Sequence, residues 1–201
     1  MPKDIEIKKK IAEVHRFHTK EAPGLDIGVE MLELALENFG SVKEKFNAVV
    51  ETPVCLPDVI QVLLGCTTGN RYLKVLPLGR FAFTIFDRYD GRGIRVSIDL
   101  SKIDKNITPE LFKFFHRTRG PEVEKSMELR KASGEKVIQE FALVGRKIFK
   151  LEKVTLKTFG KPDIPPAKIC EQCNESFLAN TKDCKICDFC SGESVYYTKP
   201  V

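Results

Sequence analysis

The sequence contains no apolar run that approaches the roughly 20 residues needed to cross a bilayer. Its opening residues, MPKDIEIKKK, also lack the apolar segment of a signal peptide. We therefore expect a cytoplasmic protein that does not associate with membranes.

A strong excess of one charge is also lacking. The net charge of the 201 residues is +5 and is spread along the chain, so it gives little support to nucleic-acid binding. Basic residues cluster in one segment, at Arg146, Lys147, Lys150, Lys153 and Lys157. No set of aromatic residues for base stacking accompanies them, so we interpret this basic segment as a solvated face. A nucleic-acid-binding C-terminal region helped by the basic segment is the alternative.

Cysteine is scarce in most of the chain, because only Cys55 and Cys66 of the seven cysteines precede Cys170. In a chain with no export signal, this distribution indicates reduced thiols and metal binding rather than disulfides. The hydrophobic content of 42% and the charged content of 30% are typical of a globular protein. A chain of this length accommodates one core and a small additional unit.

Predicted helices and strands are interleaved along residues 1–160. The patterns predict helices over 4–19, 26–39, 56–64, 109–117 and 123–145, the last with a break at Gly134, and strands over 46–51, 72–76, 80–87, 93–99 and 151–158. This arrangement predicts an α+β core domain in which helices flank a mixed β-sheet. A linker rich in proline and glycine, residues 161–168, then leads to a second domain over 169–201.

One short apolar helix carries a polar stripe. Pro57 fits the first helical turn and Gly65 ends the apolar run, so we predict a buried helix over 56–64. Cys55, Asp58 and Gln61 follow one another at three-residue spacing on its side. Such a stripe must be hydrogen-bonded, bind metal or face a cavity, because an unpaired buried polar group costs about 1 to 3 kcal/mol.

The cysteines beside this helix have different interpretations. Cys55 is placed at the N-terminus of the helix, where the helix dipole lowers a thiol pKa, so it is a candidate nucleophile or metal ligand. Cys66 is interpreted as a small buried hydrophobic residue. His15 and His116 have no companion ligands in the sequence, and we interpret both as surface or packing residues.

The C-terminal cysteines form the most specific motif. Cys170-x2-Cys173 is followed by Cys184-x2-Cys187-x2-Cys190, and tetrahedral zinc requires four such ligands. A turn is predicted at Asn180 to Asp183 and a short helix after Cys187. The better second pair is therefore Cys187 with Cys190, which leaves Cys184 over. The motif predicts one structural zinc ion, because a site closed by four cysteines has no open position for catalysis.

With these motifs in hand, the chain resembles the formylmethanofuran dehydrogenase E-subunit family. The resemblance rests on His18 with Pro23-Gly24, on Cys55-x2-Asp58-Val59-Ile60-Gln61, on Gly65-Cys66-Thr67-x-Gly69 and on the C-terminal cysteines. It implies a thioredoxin-like core, a treble-clef-like finger and a homodimer. Some members of this methanogenesis-related family are encoded with the molybdenum or tungsten enzyme that reduces carbon dioxide onto methanofuran, whereas others occur in organisms without that pathway.

The chain departs from the family pattern in its first loop. The family motif is His-Gly-His-x-Cys-Pro-Gly, and the corresponding residues here are His18-Thr19-Lys20-Glu21-Ala22-Pro23-Gly24. Protonated Lys20 has no lone pair and Ala22 has no ligand atom, so two potential metal ligands are lost. Glu21 could pair with Lys20 or replace a lost ligand. We expect a core pocket that binds metal weakly or not at all.

Two functional hypotheses follow. In the first, the protein is a zinc-binding accessory or subunit-like protein with a degenerate core pocket around His18, Cys55 and Asp58, and its finger contacts a protein partner. In the second, it is a thiol- or metal-dependent enzyme or redox protein that uses Cys55 with His18 and Asp58. The second hypothesis requires a lowered pKa of Cys55 and fast alkylation of its thiol.

Overall fold

The computed structural model describes residues 3–40, 45–160, 166–179, 183–194 and 196–197. The chain divides into two compact units, residues 1–161 and 162–201, which are described separately below. Within these described ranges, every helix is too short or too polar to cross a membrane.

The described part of the first unit contains helices and strands in alternation. The helices are α1 (Lys3–His18), α2 (Pro23–Phe39), α3 (Leu56–Leu64), α4 (Pro109–His116), α5 (Pro121–Lys125) and α6 (Met127–Val144). The strands are β1 (Phe46–Val50), β2 (Leu73–Val75), β3 (Ala82–Asp87), β4 (Arg92–Ile98) and β5 (Phe149–Thr155). Turns of 3₁₀-helix at Leu100–Lys102 and Gly145–Ile148 lead into α4 and β5.

The strands form one mixed sheet in the order β2-β1-β3-β4-β5. β1 and β2 are parallel, whereas the other neighbouring pairs are antiparallel. All six residues of β3, at the centre, are buried, as expected for a strand covered on both faces. α2 packs against β4, α1, α3 and α6. The predicted α+β fold with a mixed sheet and flanking helices is confirmed.

The helix over residues 123–145 differs from the prediction. It is interrupted at Ser126, where α5 ends and α6 begins, and it continues without a break through Gly134. The extended backbone of Ser126 allows its hydroxyl to accept a hydrogen bond from the Leu129 amide at 3.3 Å, which starts the new helix. The predicted break at Gly134 is therefore wrong. Gly134 is buried, and a Cβ added there would lie 3.5 Å from Cδ of Pro23.

Two glycines of α2 permit a very close approach to α3. A Cβ added at Gly28 would lie 2.8 Å from Cδ2 of Leu56 and 3.0 Å from Cγ2 of Val59. A Cβ at Gly24 would lie 2.9 Å from Sγ of Cys55. Because residues four apart share one face of a helix, the two glycines form a single flat contact surface. α2 begins at Pro23, three residues before the predicted start, and this extra turn brings Gly24 into the contact.

The second unit is small. Its described part contains an antiparallel hairpin of β6 (Ala167–Ile169) and β7 (Ser176–Leu178), and the short helix α7 (Asp188–Ser191). Ala167 and Lys168, which the sequence analysis assigned to the linker, lie in β6. Residues 161–165 of that linker and residues 180–182 of the predicted turn lie outside the described residues.

The α2–α3 contact can be tested with one glycine in each of two helices. Gly28→Ala is expected to lower the free energy of unfolding by about 1 to 3 kcal/mol, because the new methyl group overpacks against Leu56 and Val59. The matched control Gly134→Ala has room for its methyl group and should be neutral, or stabilising by up to about 1 kcal/mol through helix propensity. Urea unfolding followed by circular dichroism measures both changes. Equal stabilities of the two variants would contradict the close approach.

Candidate functional site

The three core residues singled out from the sequence line one cleft. His18 lies at the end of α1, Cys55 directly precedes α3, and Asp58 lies in the first turn of α3. The cleft has a volume of about 1800 Å³ and belongs entirely to the first unit. We call it the core cleft; its wall also includes residues that the argument below uses, at Lys20, Glu21, Ala22, Asp26, Phe81, Phe114, Phe115, Arg119 and Arg130.

The polar stripe of α3 is hydrogen-bonded, which is one of the three outcomes expected for it. Nδ1 of His18 lies 2.6 Å from Oδ2 of Asp58, and Nε2 of Gln61 donates to Oδ1 of Asp58 at 3.4 Å. Because a carboxylate only accepts, the Nδ1 of His18 carries the proton in this contact. The Nε2 of a neutral His18 therefore keeps its lone pair.

A second histidine–carboxylate pair lines the same cleft. Nε2 of His15 lies 2.5 Å from Oδ1 of Asp26, a residue in the first turn of α2. Burial raises the pKa of Asp26, although the nearby His15 acts in the opposite sense. The interpretation of His15 as a surface or packing residue missed this pair. Its three-residue spacing from His18 was the available signal, because that spacing places both rings on one face of a helix.

His116 is a packing residue, as predicted. Its ring stacks on Phe112 with the centroids 3.7 Å apart, and its Nδ1 lies 3.0 Å from the main-chain carbonyl of Phe112. Neither contact brings it to the core cleft.

Cys55 has an unusual backbone conformation. Its φ of 57° and ψ of −61° place it at the centre of a γ-turn, closed by the amide of Leu56 donating to the carbonyl of Val54 at 2.7 Å. Burial, with a contribution from the charge of Asp58, raises the pKa of the Cys55 thiol to about 11. The predicted lowering of this pKa is wrong, because loss of water around the thiol and a neighbouring carboxylate both disfavour the thiolate.

The altered loop reaches the same cleft. Lys20, Glu21 and Ala22 all line it, and the next turn of chain brings Gly24 against Cys55. The positions at which the family pattern has histidine and cysteine therefore face the Cys55 side of the core. The weak or absent metal binding expected from Lys20 and Ala22 stays a prediction.

Cys66 is separate from this chemistry. It is buried, and its thiol donates to the main-chain carbonyl of Phe46 at 3.2 Å. Burial raises its pKa to about 11. Its interpretation as a small buried residue is confirmed.

In the second unit, the structure brings together Cys170, Cys173, Cys187 and Cys190. Their Sγ atoms all lie within 4.8 Å of one another, and those of Cys173 and Cys187 are 3.8 Å apart. Thiolates bound to tetrahedral zinc at about 2.3 Å are separated by about 3.8 Å, so this cluster has the dimensions of a metal site. Cys184 lies outside the cluster, and its thiol donates to the carbonyl of Ile186 at 3.2 Å.

Main-chain amides prepare this cluster for a cation. The amide of Cys187 donates to Sγ of Cys170 at 3.4 Å. Together with the amides of Cys173 and Gln172 it lowers the pKa of Cys170 to about 6, whereas burial and the neighbouring sulfurs raise that of Cys190. Four adjacent thiols cannot all ionise unless a positive charge joins them. The cluster is thus able to hold a metal ion.

The basic segment is partly neutralised within the first unit. Nε and Nη1 of Arg146 lie 2.7 and 2.8 Å from carboxylate oxygens of Glu30 and Glu37, and Nζ of Lys150 lies 2.8 Å from Glu152. These ion pairs weaken the case for the basic segment as a nucleic-acid contact.

Comparison with known proteins identifies relatives over most of the chain. A curated protein of Archaeoglobus fulgidus, named as a probable S-adenosyl-L-methionine-binding protein, is 32% identical over 194 residues, which cover 90% of this chain and 51% of that protein. This chain thus spans about half the length of that relative. The crystal structure of an FmdE-like protein of tungsten formylmethanofuran dehydrogenase from Syntrophus aciditrophicus is 33% identical, with a TM-score of 0.71 and 95% coverage of both chains.

The family comparison agrees with the resemblance found in the sequence. Residues 17–153 match the family model described as FmdE, Molybdenum formylmethanofuran dehydrogenase operon. The matched range contains both histidine–carboxylate pairs apart from His15, together with Cys55 and the altered loop. The chain therefore belongs to the FmdE family.

Proposed function

We propose that this protein is a zinc-binding accessory or subunit-like protein, in which the four-cysteine cluster holds one structural zinc ion and the core cleft binds a ligand without catalysis. The observation that carries the proposal is the convergence of Cys170, Cys173, Cys187 and Cys190 at distances suited to one tetrahedral ion. Zinc in such a site neutralises thiolates and fixes the chain around it.

The burial of side chains in the second unit supports a structural role for the ion. Among its described residues, the only buried ones are Cys170 and Cys187. A unit with so little buried apolar surface needs another source of folding free energy, and metal binding supplies it in small domains. With four cysteine ligands, the proposed ion has no open position for a substrate or water.

Exposed apolar side chains support a protein partner for the finger. Ile169, Leu178, Tyr196 and Tyr197 are each at least 60% exposed. Large apolar groups concentrated on so small a unit favour contact with another protein surface. The homodimer implied by the family resemblance belongs to the same proposal.

The ligand-binding role of the core is supported by its chemistry and by a relative. Lys20 and Ala22 line the cleft in place of two potential metal ligands, which reduces its capacity for metal-assisted reactions. The Archaeoglobus relative is named for binding a small molecule. Because this chain spans about half of that protein, we propose small-molecule binding as a class and not that particular ligand.

The zinc proposal makes a direct prediction. The intact protein should contain one zinc per chain, and Cys170→Ser combined with Cys173→Ser should remove it, because two of the four thiolates are lost. Elemental analysis of the purified proteins measures this. Cys184→Ser is the matched control and should retain the full equivalent, since its thiol lies outside the cluster.

The double variant also separates the finger from the core. A full zinc equivalent remaining after Cys170→Ser with Cys173→Ser would show that the core cleft holds the metal. That result would contradict the proposal and favour metal-assisted chemistry at His18, Cys55 and Asp58.

One observation favours the alternative in which Cys55 acts as a nucleophile. A non-glycine residue at the centre of a γ-turn with positive φ is strained, and such strain occurs at reactive positions. The raised pKa of the thiol opposes it, because the thiolate is the reactive form. The pH dependence of alkylation decides between these effects.

We expect the alkylation rate of Cys55 by iodoacetamide to rise about tenfold per pH unit from pH 7 to pH 10 without reaching a plateau, since its pKa is about 11. Peptide mass spectrometry measures the rate at this residue. Asp58→Asn should accelerate the reaction about threefold or more at pH 8, because it removes a charge that raises the pKa. Asp26→Asn, the matched control, should leave the rate unchanged. A plateau below pH 8 would establish the nucleophile alternative.

A further inference from the structure

An aromatic wall leads away from Cys55 along the core cleft. It consists of Phe81, Phe115 and Phe114, which are all partly exposed and all line the cleft. The rings of Phe81 and Phe115 are 5.3 Å apart, and those of Phe115 and Phe114 are 5.0 Å apart. Phe81 begins this aromatic wall beside Gly24, where an added Cβ would lie 3.4 Å from its ring.

The aromatic wall ends at a guanidinium group. Cζ of Arg119 lies 4.8 Å from the centroid of the Phe114 ring, in a cation–π contact. Arg119 is half-buried, and within the part of the chain that the structure describes no carboxylate lies within 4.0 Å of its nitrogens. Arg130 also lines the cleft, and its Nη2 donates to the main-chain carbonyl of Glu124.

Other arginines of the cleft have different surroundings. Arg95 is held by Glu51, whose two carboxylate oxygens accept from Nε and Nη2 at 2.7 and 2.9 Å. Nη1 of Arg80 lies 3.4 Å from the same carboxylate, and Nη2 of Arg117 donates to the carbonyl of Gly79 at 3.0 Å. Arg119 is thus the half-buried cation of the cleft whose charge is not offset by a close carboxylate in the described structure.

The electrostatic environment of Arg119 favours an added anion. Burial lowers its pKa and the positive charge of Arg130 lowers it further, whereas Glu110 and Glu124 act in the opposite sense and more weakly. Two neighbouring cations repel, and a half-buried guanidinium has lost part of its hydration. An anion bound to both groups would relieve both costs, and guanidinium groups bind carboxylate and phosphate in a bidentate manner.

The opposite end of the cleft has acidic character. Glu21, Asp26 and Asp58 line it near the two histidines. A ligand with one anionic end therefore has one favourable orientation, with its anion at the arginines and its other end toward Cys55. The aromatic wall between the two ends suits a flat, apolar body.

We propose that the core cleft binds a small ligand with a planar apolar body and a terminal carboxylate or phosphate, with the body on Phe81, Phe115 and Phe114 and the anion between Arg119 and Arg130. This inference rests on the ligand-binding role proposed above for the core. It adds the chemical class of the ligand and its direction in the cleft.

A pair of fluorescent probes with the same aromatic body tests the anion subsite. 1-Anilinonaphthalene-8-sulfonate carries an anionic group, and N-phenyl-1-naphthylamine is its uncharged counterpart. Both are titrated into the intact, zinc-loaded protein. Arg119→Gln and Arg130→Gln should each weaken the dissociation constant of the sulfonate at least fivefold and change that of the uncharged probe less than twofold.

Arg16→Gln is the matched control, because Arg16 is an exposed residue of α1 outside the cleft and its substitution changes the net charge equally. It should leave both constants unchanged. An equal loss of sulfonate binding in Arg16→Gln would show a general charge effect and overturn the proposal. An equal loss of both probes in the cleft variants, or no loss of either, would also overturn it.

Displacement of the sulfonate probe identifies the anion. Phenyl phosphate and phenylacetate share an aromatic body, and stronger displacement by one of them assigns the natural group as phosphate or carboxylate. Displacement by neither overturns the proposed ligand class. If the wild-type protein binds no probe, the ligand-binding role of the core itself fails, whereas binding that does not depend on Arg119 and Arg130 removes only the anion subsite.

Discussion

The close approach of α2 to α3 is the constraint on which the core site depends. Gly24 and Gly28 present no side chains to α3, so Leu56 and Val59 pack directly against the α2 backbone. A larger residue at either position would move the helices apart, and Cys55 would move with α3. The same contact fixes the start of α2, where Asp26 meets His15, relative to the start of α3, where Asp58 meets His18. Two histidine–carboxylate pairs from three helices therefore line one cleft.

The two units are stabilised by different physical means. In the first unit, a central strand with every residue buried and the helices packed around it provide an extensive apolar core. In the second unit, the buried residues of the described part are two of the cysteine ligands themselves. The folding of the smaller unit is thus linked to metal in a way that the folding of the core is not.

Sequence reasoning was successful where local chemistry determines the structure. Pro57 and Gly65 set both ends of α3 at the predicted residues, because proline suits the first turn and glycine the left-handed position after the last. The zinc-site motif identified the four cysteines that converge, since the spacing within each pair reflects a local turn. The break at Ser126 was missed because a serine that caps a helix competes poorly, as a signal, with a glycine inside the same pattern.

The features that the sequence did not reveal arise from tertiary contacts. The pairing of His15 with Asp26 requires α1 and α2 to be placed side by side, and the raised pKa of Cys55 results from burial that the helix-dipole argument ignored. Both corrections bear on function in the same direction. A thiol that remains protonated is a poor nucleophile but can lie against an apolar ligand. With Lys20 and Ala22 replacing potential ligands and Arg119 at the far end of the aromatic wall, the balance of groups in the cleft favours holding a ligand over activating one.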